Sequence, residues 1–420
     1  MTIKGFDLKK RIIITGLGTL NAIANNVPDF ARALKQGVCG IEPIDLFDTT
    51  GFRSQTGGQI KNFIPHDYIP QNFSTKRMSR ADMFSFAATL EALRDASLYP
   101  PPEELKEEMG VVIGGGAGGL LEAEEFYGKL LKTGKNTKFS KLSSLFCASS
   151  ADRIASAFGF AGPKLTFMTA CSGGATALGC ARDLILNGHA SIMLAGGVEP
   201  LCRITYAAFN ALKSVDPETC RPFDKNRAGL SLGEAAAIMV LEELDAALNR
   251  GAKIYGEVLG YGITCDSYHM TAPDEQASGA VRSMQAALKD SGLSIDDIDY
   301  INAHGTATPV NDAMETKAIK EVFGKRAYSI PVSSTKSMHA HTLGAAGALE
   351  GIVSVLALRH GFIPPTINYQ ENDPQCDLDY VTSGSRTANL RTVLSNSFAF
   401  GGNNTTVIFG KYDGRGAVHE

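Results

Sequence analysis

Residues 164–186 read KLTFMTACSGGATALGCARDLIL. Lys164–Thr169 carries the β-branched and aromatic residues of a short strand. A run of Ala, Cys, Ser and Gly follows and opens an Ala/Leu-rich helix over Gly173–Leu186. A strand feeding a helix of small residues reads as one crossover of an α/β fold. The small residues predict close packing where the helix starts. Residues 330–349, IPVSSTKSMHAHTLGAAGAL, repeat the plan. Strand Ile330–Ser334 leads into Thr335-Lys336-Ser337-Met338 and the small-residue helix Leu343–Leu349.

The alternation continues outward from these two stretches. The first half offers strands at Arg11–Thr15, Gly110–Ile113, Lys164–Thr169, Ser191–Leu194 and Ala236–Leu241. The second offers Ile254–Gly260, Asp299–Asn302, Ile330–Ser334, Val393–Ser397 and Thr405–Phe409. Helical segments such as Arg80–Asp95 and Gly279–Leu288 lie between them. Ser191–Leu194 ends in Gly196-Gly197, and Val393–Ser397 ends in Gly401-Gly402. Two copies of a β-α-β-α-β-α-β-β unit, with mainly parallel strands, account for 420 residues without a linker. The boundary falls near Arg250-Gly251-Ala252, dividing the chain into 1–251 and 252–420.

Composition sets limits. With 44% apolar and 20% charged residues the chain is neither disordered nor fibrous. A net charge of −4 argues against a nucleic-acid binder. The eight cysteines are scattered, with no C-x-x-C, so they read as reduced thiols of a cytoplasmic protein. No apolar run is long enough to predict a membrane span. Lys9-Lys10-Arg11 before Ile12-Ile13-Ile14 mimics a signal peptide, but Thr15, Gly16 and Gly18 break the stretch, and a first strand fits better.

Three residues carry candidate chemistry. Cys171 sits at a strand-to-helix junction, where the helix dipole lowers a thiol pKa, or it is a buried structural cysteine. His304, in Asn302-Ala303-His304-Gly305-Thr306, and His341 each follow a strand, as catalytic groups or as satisfied core residues. Together one Cys and two His at strand ends point to acyl transfer through a thioester, or to Cys-dependent hydrolysis. His339 and His341 are too close for a zinc helix, and no ligand spacing predicts a metal. Gly114-x-Gly116-x-x-Gly119 follows a strand and matches a dinucleotide fingerprint, or it is a glycine turn. The acidic residue expected about 20 positions on is missing.

Taken in order, four motifs resemble one family. They are Thr169-Ala170-Cys171-Ser172-Gly173-Gly174, Asn302-Ala303-His304-Gly305-Thr306, Ser334-Thr335-Lys336-Ser337-Met338 with His341, and Asn396-Ser397-Phe398-Ala399-Phe400-Gly401-Gly402-Asn403-Asn404. Together they resemble the elongating, KAS II-like β-ketoacyl-[acyl carrier protein] synthases, over essentially the whole chain. Arg221-Pro222-Phe223-Asp224-Lys225 and Asp266 to Thr271 add to the resemblance. It implies a duplicated thiolase-like αβαβα sandwich, with two mixed sheets and a central helix layer. It also implies a dimer, either of like chains or with a synthase-like partner.

The resemblance implies roles as well. Cys171 would take the acyl chain from an acyl carrier protein. His304 and His341 would serve decarboxylation of the malonyl unit. Lys336 would fix the histidine geometry. The N–H groups of Cys171 and Phe400 would form the oxyanion hole, and Phe400 would gate the pocket with Phe398. Thr306, Thr308 and Thr271 would contact the phosphopantetheine arm. Asp312, Glu315 and Glu350 would be supporting residues. No cofactor and no metal are implied. Lys76, Arg77 and Arg80, with Lys213, are the candidate patch for an acidic carrier, or an ordinary solvated helix start. Phe146, Cys147, Ile204 and Phe209 are candidate pocket liners.

This sequence departs from the family pattern. Ala399 stands between the two aromatics where glycine is usual. His339-Ala340 precedes His341 where Thr-Gly or Ile-Gly is usual. Gly233-Glu234-Ala235-Ala236-Ala237 lacks the usual glycines, and Asn210 stands where many relatives carry a carrier-binding arginine. The expected activity is decarboxylative condensation in type II fatty acid synthesis. The rival is the ketosynthase of a type II polyketide or aryl polyene pathway, working with a chain-length-factor-like partner. A chain-length factor itself would lack the nucleophile, and a degradative thiolase would need a cysteine near Phe398–Asn404.

Overall fold

The computed structural model describes residues 10–135 and 139–414. The first half contributes five strands to the main sheet: β1 (Ile12–Asn21), β2 (Met109–Gly114), β3 (Lys164–Phe167), β4 (Ile192–Glu199) and β5 (Ala235–Glu243). The second contributes β6 (Gly256–Cys265), β7 (Tyr300–Asn302), β8 (Val332–Ser333), β9 (Thr392–Phe398) and β10 (Asn403–Gly410). Every expected strand is present with shifted ends. Strand β1 runs past the glycines to Asn21, because Gly16 and Gly18 allow a helix to lie directly on it. For the same reason Gly196 and Gly197 lie inside β4 and do not close it: a Cβ at Gly197 would stand 2.7 Å from the Gly344 carbonyl.

The strand order is β3-β2-β4-β5-β1 in the first half and β8-β7-β9-β10-β6 in the second. In each half the first three strands of the order run parallel, and each of the last two is antiparallel to the strand before it. Strand order and direction are thus the same twice, so the fold is duplicated. The sheets are mixed, where the sequence reading expected mainly parallel strands. The halves meet edge to edge through Ile13↔Glu257 and Ile14↔Gly256.

Eight helices matter here: α1 (Val27–Gln36), α2 (Arg80–Asp95), α3 (Ala148–Phe158), α4 (Gly173–Leu186), α5 (Arg203–Ala211), α6 (Ser278–Ser291), α7 (Pro309–Phe323) and α8 (Ala346–His360). Side chains alternate faces along a strand, so each fully buried strand feeds two cores. In β5, Ala237, Met239 and Leu241 join the central core, whereas Ala236, Ile238 and Val240 join the core under α2 and α3. In β9 and β10, Val393 and Val407 face the centre, and Leu394 and Ile408 face α6 and α7. Three cores between five layers make the αβαβα sandwich.

The central layer is α4 and α8. They cross at small residues: a Cβ on Gly347 would stand 2.6 Å from that of Ala175, and one on Gly174 would stand 2.7 Å from the Ala348 nitrogen. No larger side chain fits, so the two N-termini lie side by side. The segment Leu343–His360 has the length and hydropathy of a membrane span, but 83% of it is buried inside this core.

Candidate active site

Cys171 stands in the short 3-10 turn Ala170–Ser172 that heads α4. Ala170 is in the left-handed region, φ 48°, a strained conformation for a residue with a Cβ. The bend points the sulfur into a cavity of about 270 Å³. Two histidines share that cavity. His341 Nε2 lies 3.0 Å from Cys171 Sγ. His304 meets His341 edge to face, ring centroids 5.3 Å apart, and packs against Phe398 at 5.9 Å. All three are buried. The sequence separates Cys171 from His341 widely; the crossing of α4 and α8 brings them together.

Buried charges hold the histidines. Glu315 on α7 accepts the N–H groups of His304 and Gly305, both at 2.8 Å, and Asn396 Nδ2 at 3.1 Å. Asp312, one turn earlier, accepts the N–H of Phe223 at 2.7 Å and of Ala307 at 3.1 Å. Lys336 is fully buried and paired with Glu350 of α8. Burial, then the Lys336 charge, hold both His304 and His341 well below the ordinary imidazole value. Both rings are therefore neutral at physiological pH.

The thiol behaves differently from the sequence expectation. Burial pushes Cys171 up to about 12, although Lys336 and the N–H groups of Phe400 and Cys171 pull it down. Desolvation outweighs the helix dipole because the sulfur is enclosed. The resting pair is a neutral thiol beside a neutral imidazole.

The remaining expected residues divide. Phe209, Lys213, Thr271, Thr306, Thr308, Phe398 and Phe400 all line the cavity. Phe400 stacks on Phe209, centroids 5.6 Å apart, and Thr306 and Thr308 join hydroxyls at 3.0 Å. Phe146, Cys147 and Ile204 do not line it; Phe146 and Ile204 are 76% and 56% exposed. Arg80 is corrected: its guanidinium is bound to the buried Glu234, with Nε to Oε2 at 2.8 Å. It pins α2 to the start of β5 and offers no free charge, whereas Lys76 and Arg77 are exposed. Asn210 is also buried, accepting the Ser54 N–H at 2.9 Å, so it does not face a carrier.

The glycine motif is a turn. Gly114 ends β2, and the N–H groups of Gly116 and Ala117 are taken by Glu199, so the protein's own carboxylate fills the place of a phosphate. The two glycine departures have opposite consequences. Ala399 is extended, φ −120° and ψ 155°, which suits any residue. Ala340 has φ 66° and ψ 179°, a region that belongs to glycine. Its neighbour His339 is fixed at both nitrogens, to Thr335 Oγ1 at 2.9 Å and to the Ala340 carbonyl at 2.8 Å.

Glu199 and Glu234 were missed from sequence. Glu199 closes the otherwise apolar strand β4, and Glu234 directly precedes the apolar run Ala235–Leu241; a charge set against such a run is the signal that could have found them. The sulfur and one nitrogen from each histidine lie within 4.8 Å of one another, near enough to hold a soft metal ion. The Lys336 charge acting on all three opposes a cation there. A larger cleft of about 950 Å³, lined by residues of α1, α2 and the end of α8, shares no residue with the site.

Residues 9–247 match the family described as "Beta-ketoacyl synthase, N-terminal domain", and residues 255–370 match "Beta-ketoacyl synthase, C-terminal domain". The 3-oxoacyl-[acyl-carrier-protein] synthase 2 of Synechocystis sp. is 43% identical over 413 residues, covering 96% of this chain and 99% of the relative. The solved structure of the ishigamide ketosynthase/chain length factor superposes with a TM-score of 0.92 at 37% identity, covering 96% of this chain and 100% of that one. A type II PKS acyl-carrier protein in complex with its ketosynthase bound to the hexaketide gives a TM-score of 0.88 at 31% identity, with the same coverage.

Proposed function

The chain belongs to the β-ketoacyl synthase family, and on that premise we propose that it extends an acyl chain held on Cys171 by decarboxylative condensation with malonyl-[acyl carrier protein]. The observation that carries the reading is the 3.0 Å contact between His341 and a thiol that shares its cavity with His304.

The steps follow from these groups. The phosphopantetheine arm lies along Thr271, Thr306 and Thr308. Cys171 sulfur attacks the acyl thioester with the His341 Nε2–H beside it, and its proton passes to the departing carrier sulfur. A C–S bond forms to Cys171 while the bond to the carrier breaks; the carrier thiol takes the proton. The N–H groups of Cys171 and Phe400 receive the transient oxyanion. Malonyl-carrier then enters past Phe400 and loses carbon dioxide. The electron pair of the broken C–C bond becomes an enolate, whose oxygen takes N–H bonds from neutral His304 and His341. Imidazolium at either position would hold the carboxylate as a salt and slow its loss. The enolate carbon attacks the acyl-Cys171 carbonyl, the C–S bond to Cys171 breaks, and the leaving thiolate takes a proton from water, which restores the thiol. Both half-reactions share one covalent intermediate and need no cofactor.

The halves are taken as 1–251 and 252–420. Both outer limits lie beyond the described residues. The partner is a second copy or a synthase-like chain. The exposed Leu165 and Met168 at edge strand β3 support such an interface. Exposed Lys76 and Arg77, with Lys213 at the cavity, suit an acidic carrier. A cytoplasmic location suits eight unpaired cysteines.

A second reading has its own support. The likeness to the ishigamide ketosynthase/chain length factor favours polyketide or aryl polyene elongation with a chain-length-factor-like partner. One experiment addresses both. Wild type and Cys171→Ala are incubated with a panel of acyl-carriers, then malonyl-carrier, and followed by intact-protein mass spectrometry. Wild type alone should gain the acyl mass and then release β-ketoacyl-carrier. Preference for saturated chains marks fatty acid synthesis; dependence on a partner chain and unsaturated substrates marks the alternative. Acylation of Cys171→Ala would overturn the assignment.

A further inference from the structure

The glycine loop after β2 has no part in the steps above, yet it abuts the nucleophile. Its two N–H groups, of Gly116 and Ala117, close on Glu199 at 2.9 and 2.6 Å. The same carboxylate takes a third hydrogen bond, from Gly344 N at 2.9 Å, and Gly344 belongs to the other half. Gly344 is the counterpart of Cys171. The turn Leu343–Ala345 heads α8 as Ala170–Ser172 heads α4, and Leu343 and Ala170 share a left-handed backbone at φ 42° and 48°. Glu199 is buried, and among the described residues no cation pairs with it. The fit is tight: a Cβ on Gly116 would stand 3.1 Å from the carboxylate, and one on Gly344 2.7 Å.

We propose that Glu199 is a positioning residue for the condensation: its carboxylate fastens the glycine loop of one half to the Leu343–Ala345 turn of the other, and sets a buried acidic group beside the turn that carries Cys171. The consequence for acyl transfer rests on the proposed function; the effect on the thiol does not. Two charges act on Cys171 in opposite directions, Lys336 lowering its pKa and Glu199 raising it. His341 and His304 share the pocket but are neutral. Two further thiols, Cys147 and Cys202, are raised chiefly by burial, with the Glu199 charge a smaller contribution in the same direction. Burial raises Glu199 itself to about 7 against the pull of its three N–H donors.

The test is alkylation of Cys171 by iodoacetamide, followed as the Cys171 peptide by mass spectrometry across the pH range where the thiol titrates. Wild type, Glu199→Gln and Glu199→Asp are compared. Glutamine removes the charge and keeps the shape, so its profile should move to lower pH by about one unit, about a tenfold faster reaction at fixed pH. Aspartate keeps the charge but withdraws it from the three N–H groups. Its profile should stay near wild type, while acyl transfer from acyl-carrier falls about tenfold. A residue that only stabilised the fold would slow both reactions and move neither profile. Coincident profiles for wild type and Glu199→Gln overturn the proposal. Should the glutamine variant fail to fold, a Glu199→Asp enzyme with wild-type acyl transfer overturns it instead. If the profiles shift as expected but wild type takes no acyl chain, the proposed function fails and the role of Glu199 toward the thiol stands.

Discussion

The turns that head α4 and α8 are the same piece of backbone used twice. Each is a three-residue 3-10 turn entered through a left-handed residue, Ala170 or Leu343, and each opens a helix of Gly and Ala. One carries Cys171. The other carries Gly344, whose missing side chain makes room for Glu199 and Gly115. The approaches differ too. Phe167 runs almost directly into Ala170, whereas the second half inserts the residues between Ser333 and Leu343, which bring Lys336 and His341. The loops after the second strand of each half also match: Gly116 and Ala117 grip Glu199 as His304 and Gly305 grip Glu315. Duplication therefore supplied two equivalent frames, and the chemistry came from dividing the side chains between them. The first frame keeps one nucleophile, and the second keeps the groups that act on it.

If that division is right, the second frame should be far less tolerant of change than the first. The largest effect is expected for Lys336→Met. It strands the Glu350 carboxylate, already raised to about 7 by burial, and should cost about 3–5 kcal/mol in urea unfolding. Cys171→Ala, at the matching frame, should cost about 1 kcal/mol while abolishing acyl transfer. Equal losses would break the comparison. Next is Gly344→Ala, which tests whether the empty slot is truly filled. Its Cβ would stand 2.6 Å from Gly115 Cα, so stability should fall by about 1–3 kcal/mol and the acyl transfer rate with it. A neutral result would mean that Glu199 and Gly115 do not close the slot beside Gly344. The smallest effect sharpens the picture. Ala340→Gly relieves a glycine-only conformation and should raise stability by about 1 kcal/mol, read as a higher melting temperature. Ala399→Gly, at an extended residue, should show no such gain.

Much of this was legible in the chain. Short β-branched runs gave all ten strands of the main sheet, because a strand buried on both faces must be apolar throughout. Ser79 and Asp82 form a capping box that fixes the start of α2 where the pattern placed it. The order of Cys171, His304, Lys336 and His341 at strand ends pointed to one site. Glycines misled the strand ends at β1 and β4, since they serve close packing there and not termination. Arg80 misled in the other sense. Its position at the start of a helix suggests a solvated cation, yet Glu234 lies across the fold to receive it.

What the sequence determined by itself is the local grammar: which segments are strands, which helices begin with small residues, and which residues have nucleophilic or basic chemistry. These depend on neighbours along the chain, whose propensities and spacing are written there. Only the tertiary structure decided that Gly344 stands opposite Cys171, that Glu199 joins the two halves, and that the thiol is raised and not lowered. Those outcomes depend on which groups burial brings together across the crossing of α4 and α8. Desolvation and hydrogen bonding act through that space, and no spacing along the chain records them.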